Sequence, residues 1–143
     1  MKKVVISFIF LVALVSCGSD KPEPIKLNSD SCDFCKMTIS NGKFACELIT
    51  SKGRCYKFDD LFCMIQYAKS NTKVVFKRYY VSNYLGENQL ILAEKGFYLN
   101  GDTINSPMGG KTAVFINEKE LLEYQTKLSA REITWEEVYD IFK

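Results

Sequence analysis

The run FACELITSKGRCYKFDDLFCMIQYA, residues 44 to 68, constrains the fold more than any other stretch, because it spells a complete local unit. FACELIT (44–50) and RCYKF (54–58) have the β-branched and aromatic content of two strands, and Ser51-Lys52-Gly53 between them suits a tight turn. Asp59 or Asp60 can then cap a helix that carries Leu61, Phe62, Met64, Ile65 and Ala68 on its apolar side. A second copy of this strand-strand-helix order follows. VVFKRYYV (74–81), Leu90 to Ala93, Gly96 to Leu99 and KTAVFI (111–116) read as strands. Asn117 and Glu120 then open a helix over Leu121, Leu122, Tyr124 and Leu128, in the manner of a capping box. Thr134-Trp135-Glu136-Glu137, followed by Val138, Ile141 and Phe142, predicts a capped C-terminal helix. The expected class is therefore α+β, with two ββα units, mostly antiparallel strands and a C-terminal helix.

The same hairpin bears on the cysteines. With a two- or three-residue loop, Cys46 faces Phe58 or Asp59 rather than Cys55, so a cross-strand disulfide between Cys46 and Cys55 is not expected. Both read as small residues in or near the core.

The N-terminus reads differently from the rest of the 143 residues. Lys2 and Lys3 precede the apolar run Val4 to Val15, which ends in Leu14-Val15-Ser16-Cys17 and has the layout of a secretory signal. Twelve apolar residues fall short of the roughly 20 that cross a bilayer. A cysteine at the cut resembles the lipobox of bacterial lipoproteins, which implies lipid on Cys17, and the absence of aspartate just after it favours the outer membrane. The expected domains are 1–16 signal peptide, 17–30 lipidated N-terminus and flexible linker, and 31–143 folded domain, since SDKPEPIKLNSDS is polar and proline-bearing.

Composition excludes several functions. There is no histidine, so Ser-His-Asp and Cys-His catalysis and His-rich metal sites are ruled out, and any metal must be held by sulfur or oxygen. The formal charge of +2 is dispersed, with no basic cluster interleaved with aromatics, and no nucleic-acid partner is expected. If Cys17 carries lipid, five cysteines remain, an odd number that leaves at least one thiol free in a monomer.

Chemistry concentrates at SCDFCKM, residues 31 to 37. A thiolate and a thioether are soft ligands that suit Cu(I), whereas zinc takes thiolates but hardly ever a methionine. On an extended segment Cys35 and Met37 point to one side, and Cys32 can join them if the chain turns at Asp33. A C-x-x-C is equally open to a redox pair or a plain disulfide, although no strand-to-helix junction is expected here. Met108, in the loop Ser106-Pro107-Met108-Gly109-Gly110, breaks the periodicity of core methionines and lies where glycines permit close approach. Asp59, Asp60, Cys63 and Met64 read mainly as capping and core residues, or as side chains that support metal ligands from behind. Adjacent on a helix, Cys63 and Met64 face about 100° apart and cannot both serve one site.

Taken in order, CDFCKM, GKFACELITSKGRCYKFDDLFCM and KGFYLNGDTINSPMGGKTAVF resemble the NosL family of copper-binding lipoproteins that accompany nitrous oxide reductase. The resemblance covers nearly all of residues 32 to 116 and implies a fold similar to part of organomercurial lyase. It implies Cu(I) held by Cys35, Met37 and Met108, with Cys32 a further candidate, and delivery to a NosDFY-type membrane complex for nitrous oxide reductase. That is transfer and not turnover, and it assigns no catalytic residue. A site with so few ligands also permits an ion shared between two copies of the chain. The rival readings are a copper chaperone for another client, a thiol-disulfide oxidoreductase using Cys32 and Cys35, and an adaptor lipoprotein with an inert disulfide.

Overall fold

The computed structural model describes residues 20–142, so Cys17 and the expected signal segment lie outside the described residues. Seven strands and three α-helices follow one another as β1 (Cys46–Thr50), β2 (Cys55–Phe58), α1 (Leu61–Ser70), β3 (Phe76–Ser82), β4 (Leu90–Leu92), β5 (Phe97–Asn100), β6 (Thr112–Phe115), α2 (Glu118–Lys127), β7 (Arg131–Ile133) and α3 (Trp135–Ile141). Both ββα units are present: β1-β2-α1 and β5-β6-α2. The strands form two antiparallel sheets, ordered β2-β1-β3-β4 and β6-β5-β7. Strand β7 is the element the sequence hides, because Arg131-Glu132-Ile133 is too short and too polar to show alternation.

In the first hairpin Cys46 pairs with Phe58, and Cys55 pairs with Ile49. The two cysteines therefore lie at opposite ends of the ladder and cannot bridge. Cys46 is fully buried and its thiol donates to the Phe44 carbonyl at 3.1 Å. Cys55 is only half-buried and hydrogen-bonds to Glu47, with burial first among the causes that push its thiol up to about 12.

The caps follow the sequence with one exception. Asp60 caps α1, and Thr134 with Glu137 closes a full capping box on α3. On α2 Asn117 accepts from the Glu120 N–H at 2.9 Å, but the reciprocal bond of a capping box is missing and Glu120 Oε2 has no partner.

The main core lies between the first sheet and α1, around Leu48, Phe58, Met64 and Ile65, and continues into Tyr98, Val114, Ile133 and Val138 of the second half. A smaller cluster, Phe44, Leu99, Ile104, Ala113, Phe115 and Leu121, fills the β5-β6-α2 unit. Trp135 joins the halves, with its ring 5.9 Å from Tyr98 and 5.6 Å from Tyr79.

One boundary differs from the sequence reading. Residues 20–30 do not form a free linker but a strap on the first sheet. Tyr80 Oη donates to the Asp20 carbonyl at 2.7 Å, and the buried Glu47 carboxylate takes the Glu23 N–H at 2.9 Å. Lys57 Nζ reaches Asp30 at 2.7 Å and the Pro24 carbonyl at 3.1 Å, and Asn88 binds the Ile25 carbonyl at 2.7 Å. Ile25 is 3% exposed and belongs to the main core. The strap escaped detection because one isoleucine in a polar, proline-bearing stretch makes no period, while its other anchors are backbone groups and two aspartates, Asp20 and Asp30, paired with lysines far along the chain.

Ile25→Ala is expected to lower unfolding stability by about 2–4 kcal/mol, as for a buried aliphatic side chain. A linker residue would cost under about 0.5 kcal/mol, so the denaturant midpoint decides between strap and linker.

Candidate metal centre

The segment holding Cys32 and Cys35 is a closed turn. Ser31 bridges Thr38, the Cys32 N–H bonds the Met37 carbonyl at 2.8 Å, and the Lys36 N–H bonds the Cys32 carbonyl at 3.0 Å. Asp33 docks this turn on the free edge of β2. Its N–H bonds the Lys57 carbonyl at 2.8 Å, and its Oδ2 accepts the Lys57 N–H at 2.8 Å. The turn that Asp33 suggests in the sequence therefore also fixes where the cysteines sit, beside the β2-to-α1 junction.

At that junction Asp60 does more than cap. Its Oδ1 accepts from the Cys63 N–H at 3.1 Å. Its Oδ2 accepts from Ser106 Oγ at 2.9 Å, the Met108 N–H at 2.9 Å and the Gly110 N–H at 3.3 Å. One buried carboxylate thus joins the start of α1 to the Ser106–Gly110 loop. Gly109 supplies the left-handed turn (φ 75°), and a Cβ on Gly110 would meet Asp60 Oδ2 and Phe62 N at 3.3 Å.

These supports bring three thiols together: the Sγ atoms of Cys32, Cys35 and Cys63 all lie within 4.8 Å of one another. Cys32 and Cys63 are fully buried, and Cys35 is half-buried. Cys63, read from the sequence as a core residue, is a member of the cluster. A helical position beside Met64 gives no hint of this; only the docking of the turn on β2 reveals it. Met64 is fully buried in the main core.

The thioethers are placed differently from the thiols. Cys35 lies in the turn, and Lys36 adopts a left-handed conformation (φ 66°) between it and Met37, so the extended arrangement expected of that pair is not formed. Met37 is 58% exposed. Met108 is half-buried and packs against the main core, the cluster that contains Cys32 and Cys63.

The electrostatics are uneven. The hydrogen bond from the Cys63 thiol, helped by N–H groups of Cys35, Asp59 and Phe34, draws Cys32 down to about 5 against the cost of burial. The same bond to Cys32, then burial, raises Cys63, and burial raises Cys35. Asp59 is also buried, with Oδ1 unpartnered, and burial followed by the charges of Cys32 and Asp60 pushes it to about 6.

A C-x-x-C redox pair attacks through an accessible low-pKa cysteine. Here the low-pKa sulfur is the buried one and the more accessible Cys35 is raised, which suits metal ligation better than disulfide exchange. All five cysteines among the described residues are free thiols. A cluster of soft sulfurs without imidazole suits Cu(I) or another soft ion and suits magnesium or calcium poorly.

Comparison with known proteins bears on family and fold. A family model described as NosL matches residues 24–140. Among solved structures, the chain resembles one described as the copper chaperone NosL from Shewanella denitrificans, with a TM-score of 0.71 and 16% identity. That match covers 83% of this chain and 96% of the other. No curated protein matches the sequence.

Two outcomes follow from the site. Asp60→Ala leaves buried donors of α1 and of the 106–110 loop unpaired and is expected to cost at least about 3 kcal/mol, read by denaturant unfolding. Cys35 and Cys63, both raised, are protonated at neutral pH, so each must lose a proton to bind metal. Affinity for a soft ion should therefore rise about tenfold per pH unit for each of the two thiols that ligates, until pH passes its raised pKa. Cys32, ionised above about 5, adds no slope at neutral pH. Chelator competition between pH 6.5 and 8.5 measures the slope, and a flat profile would exclude both thiols.

Proposed function

Since the chain belongs to the NosL family, we propose that it is a Cu(I) chaperone of the cell envelope, anchored by lipid on Cys17 and supplying copper for assembly of nitrous oxide reductase. The observation that carries the reading is the convergence of Cys32, Cys35 and Cys63 in a chain of this family without histidine. The fold likeness to a copper chaperone structure supports it. Cys35 is the central ligand, because it is the only member of the thiol cluster not fully buried and lies two residues from Met37. Met37 and Met108 supply thioethers, and Cys32 a second thiolate.

Copper is the cargo, so binding must be firm yet exchangeable. Thiolate gives strength for a soft d¹⁰ ion, and thioethers bind more weakly and release by ligand exchange. The partner that receives copper is a NosDFY-type membrane complex, with the protein held on the periplasmic side, at the outer membrane by the residues after Cys17. The signal peptide, residues 1–16, belongs to the same proposal.

The reduced full chain should take up Cu(I) in about a 1:1 ratio, and Cys35→Ser should lower its affinity by at least about 100-fold in chelator competition. Unchanged affinity in Cys35→Ser would defeat the proposal. Loss of nitrous oxide reductase copper on deletion of the gene, with restoration by the wild type and not by Cys17→Ala, tests client and anchor together.

A further inference from the structure

We infer that Cys63 completes an inner copper position, formed with Cys32 and Cys35, and that Cys35 is shared between it and the outer thioether position of Met37 and Met108. The inference rests on the copper reading above and divides the site in two. The bland account of Cys63 is a small buried apolar residue. Such a residue packs among carbons; Cys63 Sγ instead lies within 4.8 Å of two other sulfurs.

The surroundings are built for sulfur with negative charge. The Cys35 N–H points at Cys32 Sγ at 3.4 Å. Cys63 lies in the first turn of α1, where the helix end favours an anion, with its own N–H held by Asp60. The two ends of the set differ in access: Cys32 and Cys63 are sealed, Cys35 is half-open, and Met37 is 58% exposed beyond the left-handed Lys36. Three thiolates inside and thioethers outside form a graded path that begins and ends on Cys35.

The exchange balances without redox change. Moving outward, Cu(I) keeps its bond to Cys35 Sγ, loses those to Cys32 and Cys63, and gains thioether sulfur. Cys63 takes one proton from water, which balances the charge left on its sulfur. Moving inward, that proton returns to solvent.

The test uses the reduced full chain with one equivalent of Cu(I). The double variant Met37→Leu/Met108→Leu removes only the outer thioethers, one of them on the surface. It should still bind one copper, with affinity within about tenfold of wild type, three sulfur neighbours by X-ray absorption, and slower release to a chelator. Cys63→Ser should lower affinity by at least about tenfold and bring thioether into the copper coordination. Loss of copper binding in the double variant, or wild-type affinity and spectrum in Cys63→Ser, overturns the inner position. Either result leaves the copper reading standing if Cys35→Ser still abolishes uptake. Absence of uptake by the wild type overturns both. Should Cys63→Ser fail to fold, the sulfur count in the double variant decides alone.

Discussion

The Asp60 carboxylate is the contact on which the site depends. A buried charge is costly unless its acceptor capacity is filled, and here four donors fill it: one from the first turn of α1 and three from a loop more than forty residues away. None of these donors needs to be cationic. The charge is dispersed over polarised N–H and O–H groups, so the loop that bears Met108 is fixed beside the cysteines without a buried ion pair. Asp33 does the equivalent work on the other side, pinning the cysteine turn to the edge of β2. Two aspartates thus set the distances between segments that share no secondary structure.

Around them the protein tolerates what most cores avoid. Three thiols, the Asp59 carboxyl and the Asp60 carboxylate crowd one end of α1, and among the described residues no lysine or arginine forms an ion pair with them there. Protons on Cys63 and Cys35, with charge on Cys32, relieve the crowding. A soft cation would offer the same relief by another means, so metal and protons would compete for this pocket of sulfur.

Much of this was legible in the sequence. The hairpin register that separates Cys46 from Cys55, the caps of α1 and α3, and both ββα units follow from local periodicity and turn chemistry, which act over a few residues. What was hidden depends on docking. Cys63 in FDDLFCM carries no mark of a ligand, because its partners come from a turn some thirty residues earlier that must first pair with β2. The i, i+2 argument for Cys35 and Met37 failed at a single backbone angle, the left-handed Lys36, which an ordinary lysine does not announce. Strap residues 20–30 were missed for a related reason: most of their anchors are carbonyls and N–H groups that every sequence possesses, and the lysines that pair with Asp20 and Asp30 lie far along the chain.

The strap also sets a leash. With its first described residue held to β3 by Tyr80 and Lys77, only two residues, Gly18 and Ser19, separate Asp20 from Cys17, a span of at most about 10 Å. A free tail from Cys17 to residue 30 would have allowed nearly 50 Å. With lipid on Cys17, the domain would hug the bilayer surface instead of sweeping the space above it, and a recipient of its copper would have to come to the membrane to collect it.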